Sequence, residues 1–392
     1  MELHYYLEPS SKNRHKRTGF PDKEALGQRV DFFDGTENWF DNHEFEIAII
    51  GVPESRGAVG HTDANVPGEI RYWLYGLRNI TASQRIADLG NIRGETLNDR
   101  YQALEDVVEY LNAKKILVFV LGGSQDLTVP LSRGLKEGPD DIFDIAIADA
   151  LLDVDPGEQD FSADAFIQKL GEEHTRTLDK VTVLGAQYYY LSPPQEDYMA
   201  RRHFPVFRLR DIKGDHIDRT EPVLRDASLF SFDFGAIEAS LGQHSEMNPF
   251  GLSGTEACRM FWYAGASDRM QAIGLFNVPA SEEANFPVSV GALLIWHALE
   301  GISARCGDFP RRVIEDYQFR VVYIDDYDQN LRFFHNPENN RWWLEVPLGE
   351  GSKIIACHES DYENALLKEI PETWWSCFFK TRDNQETGRI NK

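Results

Sequence analysis

Phe143-Asp-Ile-Ala-Ile-Ala-Asp-Ala-Leu-Leu-Asp-Val-Asp155 opens as an apolar run and then releases Asp149, Asp153 and Asp155 in quick succession. A short apolar run bounded by polar residues predicts a strand buried on both faces. In open parallel sheets, ligands and catalytic groups gather where strands release their carboxyl ends. A carboxylate cluster at such a point suits a hard cation or a cationic substrate. A solvated acidic loop is the alternative on this stretch alone, so neighbouring strand ends must decide.

Working outward, similar runs at 45–51, 85–89, 116–121, 181–185, 204–207, 229–234 and 271–276 predict further strands. Helical spacing falls between them at 69–77, 97–113 and 255–268, and again at 287–304 after the last strand. About eight strands alternating with helices imply right-handed crossovers and a mostly parallel sheet. The expected fold is therefore a three-layer α/β/α domain over residues 45–305. Residues 1–44 are expected to form an N-terminal arm, with a short helix near 22–29 and a basic patch at Lys12-Asn-Arg-His-Lys-Arg17. Residues 306–392 change character. Aromatic runs at 319–324, 331–334 and 341–346 predict an antiparallel meander, followed by a helix over 361–370. This makes a small α+β appendage.

The formal net charge of -24 argues against nucleic acid and anionic membranes, both of which select Lys/Arg surfaces. No apolar run reaches the roughly 18 residues of a membrane helix. Cys258, Cys306, Cys357 and Cys377 lack paired C-x-x-C spacing, so neither a zinc knot nor a disulfide framework is expected. The first residues lack a basic segment followed by an apolar one, and the expected compartment is the cytoplasm.

Three strand ends now stand together: Gly122-Gly-Ser-Gln-Asp-Leu-Thr128, Asp149-Ala-Leu-Leu-Asp153 and Ser231-Phe-Asp-Phe-Gly235. In this order they resemble the ureohydrolase family of arginase, agmatinase and formimidoylglutamase. That family carries Gly-Gly-Asp-His-Ser, Asp-Ala-His-x-Asp and Ser-x-Asp-x-Asp at these places. Gly51-Val-Pro-Glu-Ser-Arg-Gly57 and Pro67-Gly-Glu-Ile-Arg71 look like its first strand-loop-helix, and Pro249-Phe-Gly-Leu-Ser253 like the segment after its third motif. The likeness lies nearest the formimidoylglutamase branch. The resemblance implies an arginase-like fold, a pair of Mn²⁺ ions with a bridging hydroxide, and trimers or hexamers.

The departures govern the expected chemistry. Gln125 stands where the family has a ligating His, Leu151 replaces the other His, and Gly235 replaces an Asp. By the resemblance, one metal would use Gln125, Asp149, Asp153 and Asp233. The other would use Leu151, Asp149, Asp233 and Gly235, so both of its private ligands are lost. A residual all-oxygen site suits one Mn²⁺, Mg²⁺ or Ca²⁺ rather than a dinuclear centre. A two-metal hydrolase needs both ions to activate water and clamp the reacting atoms. The family's substrate-holding Glu has no match at Phe276-Asn277-Val-Pro279, the nearest carboxylates being Glu282 and Glu283. Glu54, Arg56, Glu158 and Asn277 are the candidates for lining the substrate pocket.

The expectation is a ureohydrolase-fold protein without the classical activity, retained for binding, scaffolding or regulation, with a small cationic molecule or a protein as partner. The alternative is a divergent hydrolase of C–N bonds in linear amidines or guanidines that works with a single metal.

Overall fold

A computed structural model describes residues 2–10, 22–58, 65–81, 83–135, 143–155, 162–173, 178–239, 249–279, 286–348 and 351–379. The basic patch, Glu158, Glu282 and Glu283 lie outside these residues.

The main sheet is built from β1 (Leu7–Glu8), β2 (Val30–Phe32), β3 (Ile47–Gly51), β4 (Ile86–Ile92) and β5 (Leu117–Leu121), followed by β6 (Phe143–Ala148), β7 (Leu178–Ala186), β8 (Val206–Arg208), β9 (Leu229–Asp233) and β10 (Ala272–Phe276). The order is β1-β4-β3-β5-β10-β9-β6-β7-β8, with β2 also on β4. Every pairing is parallel except β1 on β4. The sheet thus has ten strands rather than about eight. The additional pair, β1 and β2, comes from the arm, which lies along the outer edge of β4. Around 22–29 the chain makes two short 3-10 turns, Asp22–Glu24 and Leu26–Gln28.

Alternation along each strand divides the core in two, as the period of two demands. Ile47, Ile49, Phe119, Ala146, Phe230 and Ile273 face one layer with helices Val66–Leu74, Gly254–Ala266 and Phe286–Gly301. Ala48, Ile50, Val118, Ile145, Ile147 and Ala272 face the other, with helices Leu97–Ala113, Thr128–Gly134 and Phe166–Glu173. The helix at Leu97–Ala113 begins at a capping box in which Thr96 and Asp99 exchange bonds. The apolar Phe286–Gly301 helix is a core helix, packed against its neighbours Gly254–Ala266 and Val66–Leu74.

The second sheet is antiparallel: β11 (Gln318–Ile324), β12 (Gln329–Asn336), β13 (Arg341–Leu348) and β14 (Gly351–Cys357). The sequence reading lacked β14, whose Gly-Ser-Lys opening masks its Ile-Ile-Ala core. The last helix covers Glu359–Leu366 and stops where Lys368 turns left-handed at φ 73, short of Pro371. This sheet seats on the amino ends of β6, β7 and β9. Arg225 donates to the carbonyls of Trp342 (3.0 Å) and Cys357 (3.2 Å) and covers the Trp343 ring at 4.4 Å. Asp226 accepts from the Ala356 N–H at 2.7 Å.

The chain enters β6 beyond β9, and β9 and β10 later fill the gap next to β5. Adjacent strands β5, β10, β9 and β6 therefore release their carboxyl ends at the switch in strand order, where α/β sheets bind ligands.

Candidate metal centre

After β5 the backbone must double back, and Gly122 and Gly123 do so at φ 82 and φ 80. A Cβ on Gly123 would lie 2.6 Å from the Glu54 carbonyl oxygen, so only glycine fits. This turn delivers Gln125, fully buried, between Asp149 and Asp233. The end of its side-chain amide lies 3.0 Å from Asp149 Oδ2 and 3.1 Å from Asp233 Oδ2. With the nitrogen turned there, it donates to both carboxylates and its oxygen accepts from Ser231 Oγ at 3.2 Å. With the oxygen turned there, it stands about 3 Å from an oxygen of each carboxylate, the spacing of neighbouring ligands around a hard cation. Ser231 also bonds Thr128 Oγ1 at 2.7 Å, which fixes the hydroxyl beneath the amide.

Each aspartate gives its other oxygen to an N–H two residues ahead. Asp149 Oδ1 accepts from Leu151 N at 2.9 Å, and Asp233 Oδ1 from Gly235 N at 2.5 Å. Asn277, left-handed at φ 54, donates its side chain to Asp233 Oδ2 at 2.7 Å and its N–H to the Gly123 carbonyl at 2.9 Å. Asn277 thus ties three strand ends together. Burial pushes the Asp149 carboxyl well up, and the carboxylates of Asp153 and Asp233 push it further. Burial likewise raises Asp153, to about 7.

Leu151 stands 43% exposed at the mouth, and Gly235 contributes a backbone N–H but no side-chain donor atom. Glu54 and Arg56 turn toward each other. The Glu54 carboxylate accepts from Arg56 N and Nε, both at 2.9 Å, and pairs with Arg100 at 3.4 Å. That carboxylate, held by these cations, anchors the loop after β3. Its carbonyl receives Ser124 N at 2.9 Å, which joins this loop to the Gln125 turn.

Gln187 escaped the sequence reading. Its N–H bonds the Ala150 carbonyl at 2.9 Å, its amide nitrogen bonds the Phe250 carbonyl at 2.8 Å, and its oxygen accepts from Tyr189. A polar residue ending the apolar run of β7 was the only local signal. Tyr188, Tyr189, Tyr190 and Phe250, all exposed, lie on the segments that this knot joins.

The fit for ions can now be judged. Gln125, Asp149 and Asp233, with Asp153 beside Asp149, offer oxygen donors for one hard cation. The Leu151 and Gly235 side chains offer none for a second. The carboxylates do not close on a point by themselves. Among the described residues, the only His, Cys or acidic trio with ligand atoms within 4.8 Å of one another is Asp268, Cys306 and Asp308. Its central member, Asp308, is already fully engaged. Asp308 accepts from Tyr317 (2.7 Å), Asn336 (2.8 Å), Asn339 (2.6 Å) and Arg341 (2.9 Å), so a cation would have to displace a guanidinium. We assign it to structure.

The Arginase family model matches residues 45–298. Among solved structures, the chain is similar to a Trypanosoma cruzi formiminoglutamase with Mn²⁺, at 24% identity and TM-score 0.59, covering 67% of this chain and 95% of that one. It is also similar to formimidoylglutamase from Bacillus subtilis, at 19% identity and TM-score 0.61, covering 74% and 96%. Agmatine ureohydrolase of Thermoplasma volcanium follows at 18% identity and TM-score 0.53, covering 67% and 91%. No curated protein gives a significant match. The family match over most of the α/β domain, on strand ends of this geometry, identifies the chain as a member of the arginase family.

Proposed function

We propose that this protein is a ureohydrolase-fold member with a degenerate dimanganese centre, lacking classical ureohydrolase activity and serving a binding, scaffolding or regulatory role. The observation that carries this reading is the pair Leu151 and Gly235. At the two positions private to one ion, the first presents an exposed apolar side chain and the second only an N–H given to Asp233. Without a second ion, nothing holds the far side of a bridging hydroxide or polarises the leaving group. A residual site for one ion would use Asp149, Asp233 and the Gln125 oxygen, with Asp153 adjacent. Mn²⁺ is the natural candidate, and Mg²⁺ and Ca²⁺ suit the same oxygen donors.

A second reading, a single-metal hydrolase of amidine or guanidine C–N bonds, draws support from the same Gln125 amide, whose half-turn offers an oxygen ligand. Purified protein supplied with Mn²⁺ separates the two. The expected result is no urea, ammonia or formamide from arginine, agmatine or formiminoglutamate, and Mn²⁺ binding at no more than one ion per chain. Turnover of any of these substrates would overturn the proposal. The double variant Leu151→His, Gly235→Asp should raise the Mn²⁺ stoichiometry above that of the parent.

A further inference from the structure

The small C-terminal sheet ends on β11, whose outer edge is covered by no strand among the described residues. In an antiparallel ladder each residue turns both backbone groups to one side, and successive residues alternate. The Tyr323 carbonyl accepts from Lys368 Nζ at 2.7 Å, on the side away from β12. Tyr323, Val321 and Phe319 are therefore the outward-facing set. Their side chains also share one face, and they stand 45%, 51% and 49% exposed. Val322 and Ile324, which alternate with them, are buried in the core on the other face. The strand thus offers open backbone groups and a row of half-exposed apolar side chains together.

Soluble proteins protect such edges with charge, proline or cover, because an open edge templates another strand. Protection here is partial. Lys368 reaches one carbonyl, and Arg320 is the sole charged residue within Gln318–Ile324. The flanks are strongly acidic instead. Glu315 and Asp316 precede the strand, Asp325, Asp326 and Asp328 follow it, and all are exposed.

We propose that β11 is a docking edge for an extended segment of a partner protein, with alternating apolar residues and Lys or Arg at both ends. Main-chain bonds to the outward set would supply affinity, and the acidic flanks would select the basic ends. The flanks also decide against a second copy of this strand. Antiparallel self-pairing centred on Val321 would place Asp316 opposite Asp326, like charges face to face.

The experiment uses the full chain and the fluorescein-labelled peptide KKVTVTVKK, followed by anisotropy. Saturable binding is expected, with no binding of EEVTVTVEE. Val321→Pro removes an outward N–H without touching the ladder to β12, and should weaken binding by roughly fivefold or more, the worth of about one backbone bond. Val321→Lys, at an exposed side chain, should do the same and serves if the proline variant fails to fold. Unchanged affinity in both variants would overturn the proposal, as would equal binding of the acidic peptide. Sedimentation showing a dimer of the parent chain that Val321→Lys dissolves would also overturn it, by making the occupant a second copy.

Discussion

Strands β6 and β9 carry acidic groups at both ends and β7 at its amino end, and the two ends are treated differently. At the amino ends, Asp144, Asp179 and Asp226 meet cations from their own chain: Lys180 at 3.5 Å from Asp144, Lys353 on Asp179, and Arg269 at 3.7 Å from Asp226. Burial works against the Lys353 ammonium, yet Asp144 and Asp179 hold its pKa above the ordinary value. At the carboxyl ends, Asp149 and Asp233 meet the amides of Gln125 and Asn277 and backbone N–H groups. There, burial and neighbouring carboxylates raise Asp149. Burial raises the Asp144 carboxyl at the first end too, but Lys180 and Lys353 work against the rise, and that end seats a second sheet; at the other, Asp149 meets like charges that add to the cost of burial. Groups kept at such a cost cluster at functional sites.

Breaking the amino end should have the largest effect. Asp226→Ala deletes the acceptor of the Ala356 N–H and a partner of Arg269, and should cost about 3 kcal/mol. A urea titration would show it as a lower midpoint. Asp149→Asn should act with the opposite sign, because it removes one of several mutually repelling carboxylates. A gain of about 1 kcal/mol is expected, with loss of any Mn²⁺ binding heat in calorimetry. Destabilisation by Asp149→Asn would erase the distinction between the two ends.

The smallest effect is a pH dependence at the junction beside the amino end. Burial would raise the Asp308 carboxyl, but hydrogen bonds from Cys306, Tyr317, Arg341 and Asn336 hold it well below its ordinary 3.8. A depressed carboxylate contributes its stability above the unfolded value and loses it as pH falls below that value. Acidification below about 4 should therefore loosen the C-terminal sheet. Fluorescence of Trp342 and Trp343, compared with Asp308→Asn, would report it, and the variant should show a weaker response.

Much of this was legible in the sequence, because the three strand ends are local. Gln125, Asp149 and Asp233 each follow a strand run of four to six buried residues, and the sheet order brings those runs together. What stayed hidden depends on distant partners. β1 and β2 are two and three residues long, too short to show a period, and exist because β4 offers an edge. The Glu54 carboxylate is shared between Arg56, two positions on, and Arg100, 46 positions on, a partner that no local pattern announces. Asn277 reaches Asp233 from a left-handed backbone that no composition reveals. Gln187 works through Ala150 and Phe250, far away in sequence on either side.

The Gln125 amide has one more consequence. Its nitrogen and oxygen are nearly equal in size, so exchanging them by rotation leaves every neighbouring atom where it is. The pocket can change from hydrogen-bond donor to cation ligand with no movement of the main chain. Occupancy would then leave the outline of the molecule unchanged, and any partner sensing it would have to read charge at the mouth rather than shape.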